Sequence, residues 1–254
     1  MKAGLNLYSI RNLISTEEDF LATAHKLREM GYSYLQFSGG PYDAEMIRRV
    51  SEASGLPVLL THVPYDRIVG DTEALAREHL SFGCRNIGLG MMPFDRFEDE
   101  ALFDETIDAL EAAALRLEAF GCKLFYHNHH FEFFKRNGET VLECMARRAP
   151  HLQFTLDTYW VQYGGASILS TVEMLKGRIE CVHLKDYAIV KKEEKKYEPK
   201  FAPVGSGNID FPAVVAAMKA AGAKCFFVEQ DDAAKEPDPL VPVGESIAYI
   251  LNNL

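Results

Sequence analysis

The chain has 254 residues, 48% of them hydrophobic, with a formal net charge of −10 and five cysteines. That acidity disfavours nucleic acid held by general electrostatic attraction, and no apolar run is long enough to span a bilayer. An odd cysteine count without a CxxC pair, and an N-terminus without a signal-peptide apolar region, point to the reduced cytoplasm and to small-molecule chemistry.

Ala3 to Tyr8 reads as a strand, and the acids after Ser15-Thr16 open a helix whose apolar residues Phe20, Leu21, Ala24, Leu27 and Met30 recur at helical spacing until Gly31. Tyr32 to Phe37 is the second strand, and Asp43 to Ser54 the second helix, closed by Gly55. Pro57 to His62 then pairs with a helix from Asp71 to Phe82, and Arg85 to Leu89 with a long Ala-, Leu- and Glu-rich helix from Glu98 to Phe120. The fifth strand is Cys122 to Asn128, followed by a short helix around Val141 to Met145. Leu152 to Asp157 precedes a helix from Ser167 to Leu175, and Ile179 to Asp186 is strand seven. The charged run from Lys191 to Lys200 is too polar for a core, which predicts a solvated loop or a mobile lid. Asp210 caps the next helix, Lys224 to Glu229 is strand eight, and Val243 to Leu254 closes the chain.

Eight strand–helix units of about thirty residues predict a (β/α)8 TIM barrel. It is a single domain over 1–254, with a charged insertion at about 188–205. An open doubly wound sheet usually needs fewer units, and no GxGxxG follows the first strand. A barrel gathers its catalytic residues at the C-terminal strand ends, where Asn6, Gln36, His62, His127, His129, Asp157, His183, Lys185 and Glu229 fall.

The densest stretch is Lys123 to Glu132, where an apolar strand ends in three histidines, an amide and a carboxylate. Strand alternation puts Phe125, His127 and His129 on one face and Tyr126 and Asn128 on the other. From neighbouring strand ends, His127, Asp157, His183 and Glu229 make a nitrogen and carboxylate ligand set suited to Mn²⁺, Co²⁺, Fe²⁺, Mg²⁺ or Zn²⁺. Taken singly each has a bland explanation: Asp157 as a cap, His183 as a satisfied core histidine, Glu229 as the partner of Lys185. Taken together they favour an ion, because buried charges need partners.

The motifs His127-Asn128-His129-x-x-Glu132-Phe133, Leu156-Asp157-Thr158-Tyr159-Trp160, His183-Leu184-Lys185-Asp186, Val204 to Asp210 and Val228-Glu229-Gln230-Asp231 lie in order along the whole chain. This pattern resembles the sugar phosphate isomerase/epimerase, or xylose isomerase-like TIM barrel, superfamily. The resemblance implies a divalent metal held by Glu, Asp, His and Glu from strands five to eight, chelating neighbouring sugar oxygens while carboxylates move a proton. Asp157, His183 and Glu229 match, whereas His127 replaces the usual glutamate and Glu132 follows in the loop. Either His127 is the ligand and Glu132 the base, or Glu132 is the ligand and both His127 and His129 meet the substrate. The first assignment agrees with the strand alternation.

The resemblance also implies Glu132 as base with Glu229 second, His129 beside them, and Lys185 facing an oxyanion or phosphate. Asn6, Gln36, His62 and Trp160 would line the substrate, and Gly205-x-Gly207 is either a phosphate cradle or a plain turn. The implied function is a metal-dependent isomerase or epimerase acting through an enediolate on a keto sugar, a sugar phosphate or an inosose. The alternatives are a dehydratase or lyase on a 3-keto sugar or inosose at the same site, an endonuclease IV-like nuclease, and a non-catalytic sugar-binding protein. The expected partner is a small carbohydrate, not nucleic acid or membrane, and self-association into a homo-oligomer is left open.

Overall fold

A computed structural model describes residues 1–254. Eight parallel strands form a closed barrel: β1 (Gly4–Asn6), β2 (Tyr34–Phe37), β3 (Val58–His62), β4 (Asn86–Leu89), β5 (Lys123–His127), β6 (Gln153–Asp157), β7 (Cys181–Leu184) and β8 (Cys225–Val228). Closure is made between β1 and β8, in the register Gly4↔Phe227 and Leu5↔Val228. All eight strands were legible in the sequence.

Alternation divides the apolar residues into two cores. Tyr34, Leu60, Phe125, Cys181 and Phe227 plug the barrel interior. Outward-facing residues such as Leu124 and Tyr126 join a much larger cluster shared with the helices. His127 shares the inward face of Phe125, two residues further towards the C-terminal end, so its ring lies above the plug. The plug is the floor of the site.

The helices start and stop where local chemistry requires. Thr16 caps Glu17–Met30 through the Asp19 amide, and the acids of its first turn complement the helix dipole. Thr140 and Glu143 form a reciprocal capping box on Val141–Arg148. The expected third and fourth helices stand close to their expected bounds, as Thr72–Ser81 and Glu100–Glu118, the latter opened by the Asp99 side chain accepting from the Leu102 amide. Each is preceded by a short helix that the sequence reading did not include, Tyr65–Gly70 and Phe94–Glu98. The 3₁₀ segment Leu7–Leu13, the helix Thr158–Tyr163 and the small hairpin of Lys135–Arg136 with Glu139–Thr140 were not foreseen.

The charged run is a correction. It is not an irregular loop but an antiparallel ribbon, Asp186–Glu193 with Lys196–Ala202, turning at Lys195 with φ 61°. Backbone pairing runs the length of the ribbon, so its lysines and glutamates can remain in water, and Lys192 pairs with Glu198 across it (2.8 Å). Its base, not its charged tip, borders the site: Phe201 packs on Tyr159 at 4.7 Å between ring centroids.

Candidate metal centre

Four donor atoms converge at the C-terminal mouth. His127, Asp157, His183 and Glu229 are buried, and each offers one ligand atom within 4.8 Å of the others. Every one of the four is oriented by a second contact through its other polar atom. His127 Nδ1 donates to the Gly90 carbonyl (3.0 Å), which leaves Nε2 bare towards the centre. Asp157 Oδ1 accepts from the Trp160 amide (2.9 Å), leaving Oδ2. His183 Nε2 donates to Gln36 Oε1 (2.7 Å), leaving Nδ1, and Glu229 Oε1 accepts from Asn6 Nδ2 (2.6 Å), leaving Oε2.

The residual contacts fit an ion. His183 Nδ1 lies 2.9 Å from Glu229 Oε2 yet has no aligned hydrogen bond, so a buried nitrogen is left without a partner. Two nitrogens and two carboxylate oxygens, each anchored from behind, are a donor set for a borderline or hard divalent cation. With no ion, burial opposes a charge on His183, but Glu229 and Asp157 outweigh it and lift the imidazole to about 9.

Lys185 stands beside the donors, fully buried, with Nζ 2.8 Å from Asp231, 3.0 Å from Glu229 and 3.5 Å from Asp157. Burial works against its charge, but the three carboxylates keep it protonated. Its ammonium also lies 5.1 Å from the Trp160 ring centroid and 5.6 Å from that of Phe201. A cavity of about 320 Å³ opens above, lined by Tyr8, His62, His127, His129, Lys185, Glu229 and Asp231 among others. A cavity of about 440 Å³ between Lys200 and Glu245 contains none of the donors.

The sequence expectations sort into three groups. His127, Asp157, His183, Glu229, Lys185, His62 and His129 come together. His129 is held neutral, near 2, chiefly by burial and then by His127 and Lys185, and its Nδ1 has no partner; Trp160 Nε1 likewise has none. Asn6 and Gln36 stand beneath the donors instead of lining the cavity. Both are fully buried, and Gln36 divides its amide between His183 and His62 (3.0 Å).

Glu132 is not brought to the cluster. The 3₁₀ turn Phe131–Phe133 folds its carboxylate to the outer face of β5, where Tyr126 Oη (2.5 Å) and the His129 amide (2.8 Å) donate to it. Burial there raises it to about 7. Between the two strand-five assignments, the converging atom belongs to His127.

Two further points were not anticipated. Asp231, two residues beyond Glu229, completes the Lys185 pairing at 2.8 Å from Nζ. The Gly205 and Gly207 amides both donate to Asp186 Oδ2 (2.9 Å each), with Ile209 and Tyr187 donating to Oδ1, so this loop is a turn wound around a buried carboxylate and not a phosphate cradle. Glycine is required at 207, where a Cβ would sit 2.3 Å from both Asp186 Oδ1 and the Tyr187 carbonyl.

A sequence profile of the xylose isomerase-like TIM barrel family matches residues 24–252. No curated protein matches the chain. Among solved structures, a sugar phosphate isomerase/epimerase from Parabacteroides distasonis is similar with a TM-score of 0.81 at 20% identity, over 99% of this chain and 94% of its own. A xylose isomerase-like TIM barrel protein from Mycobacterium smegmatis in complex with magnesium gives 0.72 at 14% identity, over 99% and 95%. The probable 3-DHS dehydratase involved in petrobactin synthesis from Bacillus anthracis gives 0.70 at 12%, over the whole of both chains. At these identities the structural likeness concerns the fold, while the profile spans nearly the full sequence: the chain belongs to the xylose isomerase-like TIM barrel family.

Proposed function

We propose that the protein is a divalent-metal-dependent isomerase or epimerase that moves the proton α to the carbonyl of a keto sugar. The observation that carries this reading is the convergence of His127 Nε2, Asp157 Oδ2, His183 Nδ1 and Glu229 Oε2, each fixed from behind by a separate contact. An ion of Mn²⁺, Co²⁺, Fe²⁺, Mg²⁺ or Zn²⁺ held there would supply Lewis acidity, making the α proton removable and stabilising the charge left behind.

The chain's own groups do the rest. Glu229 is the proposed proton acceptor: it lines the cavity, and although burial opposes its charge, Lys185 and His183 keep it ionised. Lys185 compensates charge developing on the substrate oxygen. His129 and His62, both neutral, offer hydrogen-bonding edges to hydroxyls, and Trp160 supplies an apolar wall with a free indole N–H. Glu132, facing away, supports the loop that carries His129.

A net charge of −10 and a four-donor centre support a small carbohydrate as partner in preference to nucleic acid. No helix is long and apolar enough to cross a membrane, and the five free cysteines agree with a reducing cytoplasm. The test is to load the protein with each metal and follow deuterium from D₂O into keto sugars and inososes. Metal-dependent incorporation α to the carbonyl is expected, and a chelated sample should show none. Loss of a β substituent along with exchange would mark the lyase; exchange absent with every metal would end the proposal.

A further inference from the structure

The cavity above the four donors continues sideways. Towards the β3 and β4 ends it meets a second cavity of about 460 Å³, and the two share His62, Gly90 and Met91 as walls. Glycines shape this junction. A Cβ on Gly90 would lie 2.9 Å from His62 Nδ1, and one on Gly88 would lie 2.9 Å from His62 Cδ2, so two bare backbone positions let the imidazole lie against β4. The second cavity is otherwise walled by Val63, Pro64, Tyr65, Leu89 and Pro93, with Asp66 as its one acidic side chain. Met91, 40% exposed, lines both cavities.

A phosphate is best held by a free cation, and the lining of neither cavity supplies one. Lys185 is the one lysine or arginine lining them, and it is already surrounded by Asp231, Glu229 and Asp157. Arg11, the guanidinium beside Tyr8, gives Nη1 to the Tyr8 and Asp231 carbonyls and stacks 4.3 Å over the Tyr8 ring. The Gly205 and Gly207 amides belong to Asp186.

From this geometry, and resting on the metal-dependent proton-transfer reading, we infer that the substrate is not a sugar phosphate but a sugar bearing an uncharged apolar aglycone. The sugar lies over the donors, and the aglycone rests on Met91, Tyr65 and Pro93. Substitution at the anomeric carbon then places the reacting carbonyl on another ring carbon.

The metal-loaded enzyme would be assayed in D₂O with a ring-keto hexose, its 6-phosphate and its phenyl glycoside. The phenyl glycoside should exchange with a kcat/KM on the order of tenfold or more above the free sugar, mainly through KM, because apolar contacts of this size discriminate on that scale. The phosphate should gain nothing. Met91→Asp, at an exposed position outside the core, should reduce the ratio of glycoside to free sugar by on the order of tenfold, with thermal melting reporting intact folding. Preference for the phosphate, a glycoside no better than the free sugar, or an unchanged ratio in Met91→Asp would overturn the inference and leave the proton-transfer reading standing. Exchange from none of the three with metal bound would remove that reading itself, and this inference with it.

Discussion

Lys185 Nζ lies 3.0 Å from Glu229 Oε2, the same oxygen that points at the centre of the four-donor cluster. An ammonium and a divalent ion therefore draw on one carboxylate oxygen, and Asp157 Oδ2 at 3.5 Å is shared in the same way. Removing the lysine leaves buried carboxylates without compensation. Lys185→Met should lower apo-protein stability by about 3–5 kcal/mol, the usual cost of breaking a buried pair, and saturating metal should restore much of it. Thermal melts with and without metal check this, and a loss that metal does not repair would place Lys185 outside the electrostatic balance of the site.

Gln36 touches both His183 and His62. Its role here is to fix the tautomer and direction of His183, leaving Nδ1 as the bare nitrogen. Gln36→Leu should weaken metal affinity by about 10–100-fold, as loss of such supporting contacts does, while the barrel still forms. Metal titration by calorimetry gives the answer.

Glu132 provides a pH signature. Burial raises its carboxyl from an ordinary 4.5 to about 7, so between those values the native protein holds a proton that the unfolded chain has released. Stability from this group is therefore full below the lower value and falls as pH rises to the upper one, by about 3 kcal/mol at 1.36 kcal/mol per unit. Glu132→Gln imitates the neutral acid: its amide N–H can donate to Tyr126 Oη, and its carbonyl can accept from the His129 amide. Relative to the parent, this variant should gain stability between pH 5 and 8 in urea denaturation. A parallel pair of curves would contradict the burial argument.

Asp186 is the hub of the turn after the ribbon. Asp186→Ala would leave the Gly205, Gly207 and Ile209 amides without their acceptor, at about 1–3 kcal/mol for each that water does not reach. A midpoint shift in chemical denaturation should report at least one such loss.

The sequence revealed what period and residue type encode. Alternation with strand-end polarity located His127, Asp157, His183 and Glu229, because inward parity and barrel topology together leave few places for them. It could not reveal which way a loop carboxylate folds. Glu132 goes to Tyr126 because a 3₁₀ turn reverses the chain after His129, and nothing in the spacing of Glu132 from His127 distinguishes that from a return to the cavity. Likewise Asn6 and Gln36 fall at strand ends, as cavity residues do, but they lie below the donors and serve them instead of the substrate. The ribbon was hidden for a different reason: its charges mask strand alternation, and its pairing depends on the backbone.

Under the proposed function His127, and not Glu132, supplies the strand-five ligand of the proton-moving metal centre. The decisive measurement is metal content by mass spectrometry for His127→Ala and Glu132→Gln beside the parent protein. Depleted metal in His127→Ala with parental metal in Glu132→Gln is expected; parental metal in His127→Ala with depletion in Glu132→Gln would overturn the assignment.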